Sequence, residues 1–527
     1  MDRPTNQLLL AAYDISGIQE YIFASNRLKE NIGGSYIVGT MMRTHLPKVL
    51  KQLSFRNEGK VITNWEEAPF RLLDDSIILA EIIYIGGGNA LVMYRDWGLY
   101  HQVNKQFSLE LIKESFTLTL ATEAIAFSPS DGTSYSKLVK ELMNKLDTTK
   151  SELIRSKPLG ALPISSQERF GGWPVTTIDE HANHEEISTV QALKRKAATE
   201  KPLQELFPLD NQSFSWAKEM EAMKRKKGED SYVAVVHIDG NGMGQLLRQK
   251  LYSLEKESLT KQISEHRELS KQITSRYLNY FQNMIADLEI ADLEIVDLTI
   301  SQGGVLPIRP LIMDGDDITF ICRADWGIPL AMEFLRRLEM DTEQPLPLSA
   351  CAGVALVHSH FPFQIAYEIA EECCKNAKKK YYQEMQGSFL DFHLVRGSYV
   401  LSRKEQLELG LKNKQQRPFR VNGTGDLNAP HSIDLLAEVI QKMKLDPEEA
   451  PGAWPRSWLV RLYQAYLQHG KNDKAVTSVI EEAVSRGYDR SYFFSETETI
   501  DDSVLFDALE VLDSYEHTLF QVKEGKQ

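Results

Sequence analysis

Residues Arg309 to Cys322 read RPLIMDGDDITFIC: an apolar run, a turn crowded with Asp314, Asp316 and Asp317, then a second apolar run. Two apolar runs around a short polar turn predict a β-hairpin. Carboxylates packed so tightly repel one another unless solvent, a lysine or a metal ion lies among them. The segments on either side of the hairpin decide which of these it is.

Upstream, SYVAVVHIDGNGMGQLL (Ser231–Leu247) predicts a buried strand ending on Asp239, then a glycine-rich turn into a long helical region reaching about Leu288. Downstream come a helix over Trp326–Met340, a strand in LSACAGVALVHS (Leu348–Ser359) and a helix in PFQIAYEIAEECCKNAKKK (Pro362–Lys380). Strand, helix, hairpin, helix, strand is the split βαβ order of a ferredoxin-like domain. In that order the first strand lies beside the hairpin, so Asp239 is expected next to Asp316 and Asp317. Two Mg²⁺ or Mn²⁺ ions, which favour oxygen ligands, would neutralise the three carboxylates. Such a pair suits in-line displacement at a phosphate. Gly240, Asn241 and Gly242 would bring backbone N–H groups to a triphosphate at the start of a helix. Lys378 would meet its outer phosphates as a point charge. Taken singly, DGDD reads as a surface turn and AKKK as a solvated helix end. Their ordered combination is what points to chemistry.

The same grammar opens the chain. LLLAAYDI (Leu8–Ile15) is a strand, a helical stretch runs from Gln19 to about Leu53, and SIILAEIIYIGGGNALVMYRD (Ser76–Asp96) is a hairpin around Gly86–Gly88. Helices are expected around His101–Thr117 and Tyr135–Ile154. The glycines of IGGSYIV (Ile32–Val38) imply close packing of a helix on a sheet, with Ser35 a lesser candidate for nucleotide contact. Residues 155–225 read as irregular, and ADLEIADLEIVDL (Ala286–Leu298) holds a small tandem repeat read as an insertion or strand extension. Beyond about Val421 the pattern becomes helical.

At 527 residues the chain exceeds one ordinary core. The fold class expected is α+β: two ferredoxin-like domains (1–154 and 229–425), a linker region with short helices (155–228) and a C-terminal helical domain (426–527). A net charge of −14 argues against broad contact with nucleic-acid phosphates and leaves only local patches such as Lys224–Lys227. Small phosphorylated ligands remain compatible. Four cysteines without CxxC spacing exclude a zinc ribbon and suit a reducing cytoplasm. Neither a membrane span nor a signal peptide is expected. His237, two residues before Asp239 on the strand, reads as a core histidine, and His181 and His184 as loop residues.

YDISGIQEYIFASNRLKENIGGSYIV, IYIGGGNALV, VHIDGNGMG, IMDGDDITFI and the segment Cys351–Lys380 together resemble the two palm domains of the large subunit of type III CRISPR complexes. That polymerase/cyclase family has a GGDD hairpin and is akin to GGDEF cyclases. The resemblance spans roughly residues 7–400, and GSFLDFHLVRGS (Gly387–Ser398) and the helical tail also look like that family. It implies a cytoplasmic synthase that joins ATP through 3′–5′ bonds into cyclic oligoadenylate, a messenger of antiviral defence. Asp239, Asp316 and Asp317 match the catalytic, metal-binding carboxylates, Lys378 the triphosphate-contacting lysine and Gly315 the second glycine of GGDD. The first palm keeps Asp14 but has Gly88 and Asn89 where carboxylates would sit, and it would supply part of an acceptor nucleotide site. Partner subunits and guide or target RNA are implied as well. Asp314 departs from the first glycine of GGDD. The family's HD nuclease domain and zinc-binding cysteines are not expected in this chain. Two rival readings stand beside the synthase: a non-catalytic scaffold subunit of an RNA-guided complex, and a simple cyclase making a cyclic mono- or dinucleotide.

Overall fold

The computed structural model describes residues 7–56, 59–132, 134–153, 164–169, 171–180, 182–200, 207, 209, 214–223, 231–290, 304–341, 346–396, 416–422, 431–445, 448, 450–469, 474–493, 504–516 and 519–520. They form two compact units, each discontinuous in sequence. The first comprises 1–208, 242–279 and 311–317, the second 209–241, 280–310 and 318–527. Lys224–Lys227 and His181 lie outside the described residues.

In the first unit, β1 (Leu8–Ser16) leads through α1 (Ile18–Phe23), α2 (Leu28–Thr40) and α3 (Leu46–Arg56) to β2 (Lys60–Ile62). The hairpin β3 (Ile78–Gly86) and β4 (Asn89–Tyr94) follows, then α4 (Trp97–Ser115), β5 (Thr119–Phe127) and α5 (Tyr135–Glu152). The sheet order is β2–β3–β4–β1–β5. Thus β1 lies antiparallel to both β4 and β5, and Asp14 stands opposite Asn89. Leu8, Leu10 and Ala12 alternate along one face of β1 into a core with Leu138 and Leu142 of α5. The expected helix from Gln19 to Leu53 is broken at Ala24–Asn26 and carries a π-helical turn at Met41–His45.

Two short strands, β6 (Thr177–Asp179) and β7 (Glu185–Ile187), precede α6 (Thr189–Glu200). Here the structure corrects one expectation. Gly33 packs against α6, and Gly34 against Ile22 of α1 and the Lys194 side chain, not against a sheet: a Cβ on Gly33 would lie 1.8 Å from the Lys194 carbonyl oxygen. The two helix backbones touch there, and only glycine permits it.

The second unit holds β8 (Ser215–Trp216), β9 (Tyr232–Gly240), β10 (Val305–Leu306) and most of the hairpin β11 (Ile308–Asp314) and β12 (Asp317–Arg323). The helix α7 (Met243–Ser253) and most of α8 (Leu259–Ile290) belong to the first unit. The chain continues through α9 (Ala324–Met340), β13 (Ala350–His358), α10 (Phe363–Glu384), β14 (Ser388–Leu394) and β15 (Phe419–Val421). The sheet order β11–β12–β9–β13–β14–β15 contains the ferredoxin-like set, extended by β14 and β15. Val233–Ile238 are buried without interruption, so both faces of β9 are covered, as its unbroken apolar run requires. The first copy of the tandem repeat, Ala286–Ile290, ends α8 as helix, not strand; the remainder lies outside the described residues.

Helices Ile433–Lys444, Arg456–His469, Lys474–Ser485 and Leu505–Val511 follow. Arg417, buried beside β15, ties them to the sheet: Nε lies 2.9 Å from Asp507 Oδ1 and Nη2 lies 2.6 Å from Glu510 Oε2. Among the described residues no helix is long and apolar enough to cross a membrane.

Candidate nucleotide site

Within the first unit the acidic turn and the glycine turn wall one cavity of about 250 Å³. Asp316 and Asp317 line it, as do Ser35, Arg43, Gly87 and Gly88, with Ile18, Ile22 and Phe207 supplying an apolar wall. Small-molecule pockets start at ~300 Å³, so the space falls just short of that range. Gly87 and Gly88 both adopt left-handed backbone conformations, with φ of 63° and 72°. A Cβ on Gly88 would also meet Ile18 Cδ1 at 2.4 Å, so a larger residue there would have to move that side chain as well as adopt a left-handed backbone.

Asp314 does not hang loose at the turn. Its Oδ2 accepts a hydrogen bond from the Gly88 N–H at 2.7 Å, and its Oδ1 lies 3.0 Å from Arg43 Nη2. Arg43 was not singled out in the sequence, because its π-helical turn breaks the period on which a helical face is read. The Ser35 hydroxyl is buried and donates to the Leu311 carbonyl of β11. Gly315 occupies the tip between Asp314 and Asp316, and Asn89 opens β4 with its amide donating to the Gly87 carbonyl.

Asp14 lines up differently. It lies near the end of β1 and pairs with Lys150 of α5 at 3.0 Å. Burial pushes its carboxyl above the usual range, and Lys150 partly opposes that rise. Nothing in the sequence around Lys150 marks it, although a lysine on the helix after the last strand of the repeat has a counterpart in the second unit.

That counterpart is Lys378. In the second unit Asp239 nears the end of β9, and Lys378 Nζ on α10 lies 2.6 Å from its Oδ2 and 2.9 Å from the Gly240 carbonyl. Here the positive group the carboxylate calls for is a lysine. Asn241 spends its amide on Ser349 Oγ and the Gly387 carbonyl, 3.1 and 3.3 Å away, which fixes the loop behind Asp239. Gly242, in the first unit, is the N-cap of α7. His237 is a core histidine, as read: it is 5% exposed, bonded to Thr319 Oγ1 at 3.1 Å and edge-on to Tyr367.

Residues 232–385, from β9 to the end of α10, match the family model "Cas10/Cmr2, second palm domain". Over that span the chain is similar to a Cas10/Cmr2 second palm. The β1–β5 half repeats the order of this palm in a first one, so the architecture is two ferredoxin-like palms with a helical C-terminal region. No curated protein matches the sequence. Among solved structures, Csm1 of T. onnurineus superposes with a TM-score of 0.50 at 14% identity, covering 98% of this chain and 70% of that one. A Csm1–Csm4 cassette in complex with one ATP gives 0.50 at 13% identity, covering 97% and 70%. The palm match and this shared fold agree with the likeness to type III CRISPR large subunits read from the motifs.

Proposed function

We propose that this chain is a nucleotidyltransferase that joins ATP through 3′–5′ bonds into cyclic oligoadenylate. The observation that carries the reading is the shared cavity: the second palm's Asp316 and Asp317 and the first palm's Gly87–Gly88 turn wall one space with an apolar side. Linking two nucleotides requires a donor and an acceptor to meet, and the two turns that would face them line the same space. A neighbour of the same fold is described in complex with ATP.

The donor set suits divalent cations, since carboxylate oxygens are hard ligands and Asp316 and Asp317 share one wall. In the sheet order β12 runs next to β9, and His237 of β9 bonds Thr319 of β12, two residues from Asp239 and Asp317 respectively. In the first palm the equivalent positions, Asp14 and Asn89, are direct cross-strand partners. On this reading Asp239, Asp316 and Asp317 would hold Mg²⁺ or Mn²⁺. Such ions, when bound, acidify an attacking hydroxyl and neutralise charge on the phosphates.

The chain's own groups do the rest. Lys378, now on Asp239, would pass to the triphosphate as it enters. The N–H groups at the start of α7, behind Gly242, favour an anion. Ile18, Ile22 and Phe207 would exclude water around a base. Assembly with companion subunits and RNA belongs to the same proposal.

Labelled ATP incubated with the protein and Mn²⁺, followed by resolution of products, tests it. Cyclic oligoadenylate is expected, and Asp316→Ala with Asp317→Ala should abolish it. Full activity in that double variant would overturn the assignment. A cyclic mono- or dinucleotide would instead favour a simple cyclase, and no product a non-catalytic subunit.

A further inference from the structure

Asp314 stands where the resemblance leads one to expect glycine, and its two oxygens are held by two different donors. Oδ2 takes the Gly88 N–H at 2.7 Å, and Oδ1 takes Arg43 Nη2 at 3.0 Å. All three residues line the cavity that Asp316 and Asp317 also line. A carboxylate seated beside two others gains nothing from its neighbours. What draws it in is the pair of donors, a backbone N–H presented by a left-handed glycine turn and a guanidinium. Turns of this kind form anion-binding concavities, and a guanidinium beside one adds the charge and geometry a phosphate prefers.

We propose that the Gly88 N–H and the Arg43 guanidinium form a phosphate site for the nucleotide of the first palm, and that Asp314 occupies it as an internal competitor. The inference rests on the nucleotide reading of the cavity above and adds a site and a restraint on it. Arg43 has the reach for the role, with 43% of its side chain exposed while one nitrogen holds Asp314. The geometry is that of a carboxylate standing in for a phosphate, one oxygen to each donor. An entering triphosphate must displace Asp314, so the residue weakens binding; a mere clamp would strengthen it by holding the glycine turn in shape.

Equilibrium binding to the full chain separates these outcomes. The probes are 3′-deoxy-ATP with Mg²⁺, which lacks the attacking hydroxyl, and inorganic triphosphate, which lacks the base. Asp314→Gly and Asp314→Asn should each tighten both probes, Asp314→Gly by about fivefold or more, the factor for removing one charge about 4 Å away even in water. Arg43→Ala placed on Asp314→Gly should reverse the gain. Unchanged or weaker binding in folded Asp314→Gly and Asp314→Asn proteins makes Asp314 a clamp and overturns the proposal. Tightening of 3′-deoxy-ATP alone, without inorganic triphosphate, overturns the phosphate assignment. Tighter binding without any product from ATP would keep this inference and remove the synthase reading. Product formation with unchanged affinities would do the reverse.

Discussion

Lys150 of α5 holds Asp14, near the end of β1, at 3.0 Å in a pair of which the carboxylate is the more buried member. Burial is the larger influence on Asp14 and pushes its pKa up; Lys150 works against it. A carboxylate in that position is costly once its cation is gone. Lys150→Met should therefore destabilise the protein by about 1–3 kcal/mol, less than a fully buried pair because Lys150 is partly solvated. Asp14→Asn added to it should recover most of the loss, since a neutral amide needs no counter-charge. Urea unfolding of the two single variants and the double variant measures the coupling. Additive losses would mean that the pair contributes nothing.

Lys378 and Asp239 have the same relation in the second palm but a different exposure, with Asp239 39% exposed. Loss of a pair so open to solvent costs less than about 1 kcal/mol of stability. On the proposed chemistry the lysine has a second task at the triphosphate. Lys378→Met should thus leave thermal unfolding nearly unchanged while raising the KM for ATP about tenfold or more. Lys378→Arg should rescue incompletely, because a planar fork replaces a compact ammonium. A variant with unaltered KM would confine Lys378 to holding β9 and its loop.

The hairpin at Asp314–Asp317, the strand ending at Asp239 and the duplication itself were legible because each rests on an unbroken apolar run closed by a polar turn. β5 was not, since TLATEAIAF mixes alanine, threonine and a glutamate with three larger apolar side chains and lacks a strong alternation. β14 and β15 extend the sheet by pairing far along the chain, which local pattern cannot show. The cavity was half legible: the carboxylates and the glycine turn stood out, but Arg43 and Lys150 are ordinary helix-surface cations until the fold brings an aspartate to them. Asp314 was read as an added charge at the turn, and its partners lie 226 and 271 residues away.

Gly33 meets the backbone of a helix, α6, where its sequence context predicts a sheet. Its missing Cβ would sit 1.8 Å from a carbonyl oxygen of α6, whereas at Gly34 the nearest atom is 3.3 Å away. Backbone cannot move aside as a side chain can. Gly33→Ala should cost about 3 kcal/mol or more, the upper range of overpacking, and Gly34→Ala clearly less. Thermal melts of the two variants give the order directly. Equal melting temperatures would show that α2 and α6 part easily.

His266 supplies the pH dependence. The ring lies in α8, 1% exposed, shares a 2.8 Å hydrogen bond between Nδ1 and the Tyr135 hydroxyl, and packs 4.9 Å from the Tyr84 ring centre. Burial pushes its pKa down from 6.5 to about 3. The folded chain therefore keeps the ring neutral where the unfolded chain protonates it. Because the folded value is the lower one, the stabilising share is complete above pH 6.5 and is lost progressively as pH falls towards 3. Between pH 7 and pH 5 the protonation of the unfolded state alone removes about 2 kcal/mol, whatever the folded value below 5. His266→Gln cannot titrate, so its unfolding free energy should fall over that interval by about 2 kcal/mol less than that of the parent. Urea unfolding at the two pH values, followed by tryptophan fluorescence, measures the difference. Identical losses in both proteins would mean that His266 accepts its proton inside the fold, and that the Tyr135 contact does not exclude the charged ring.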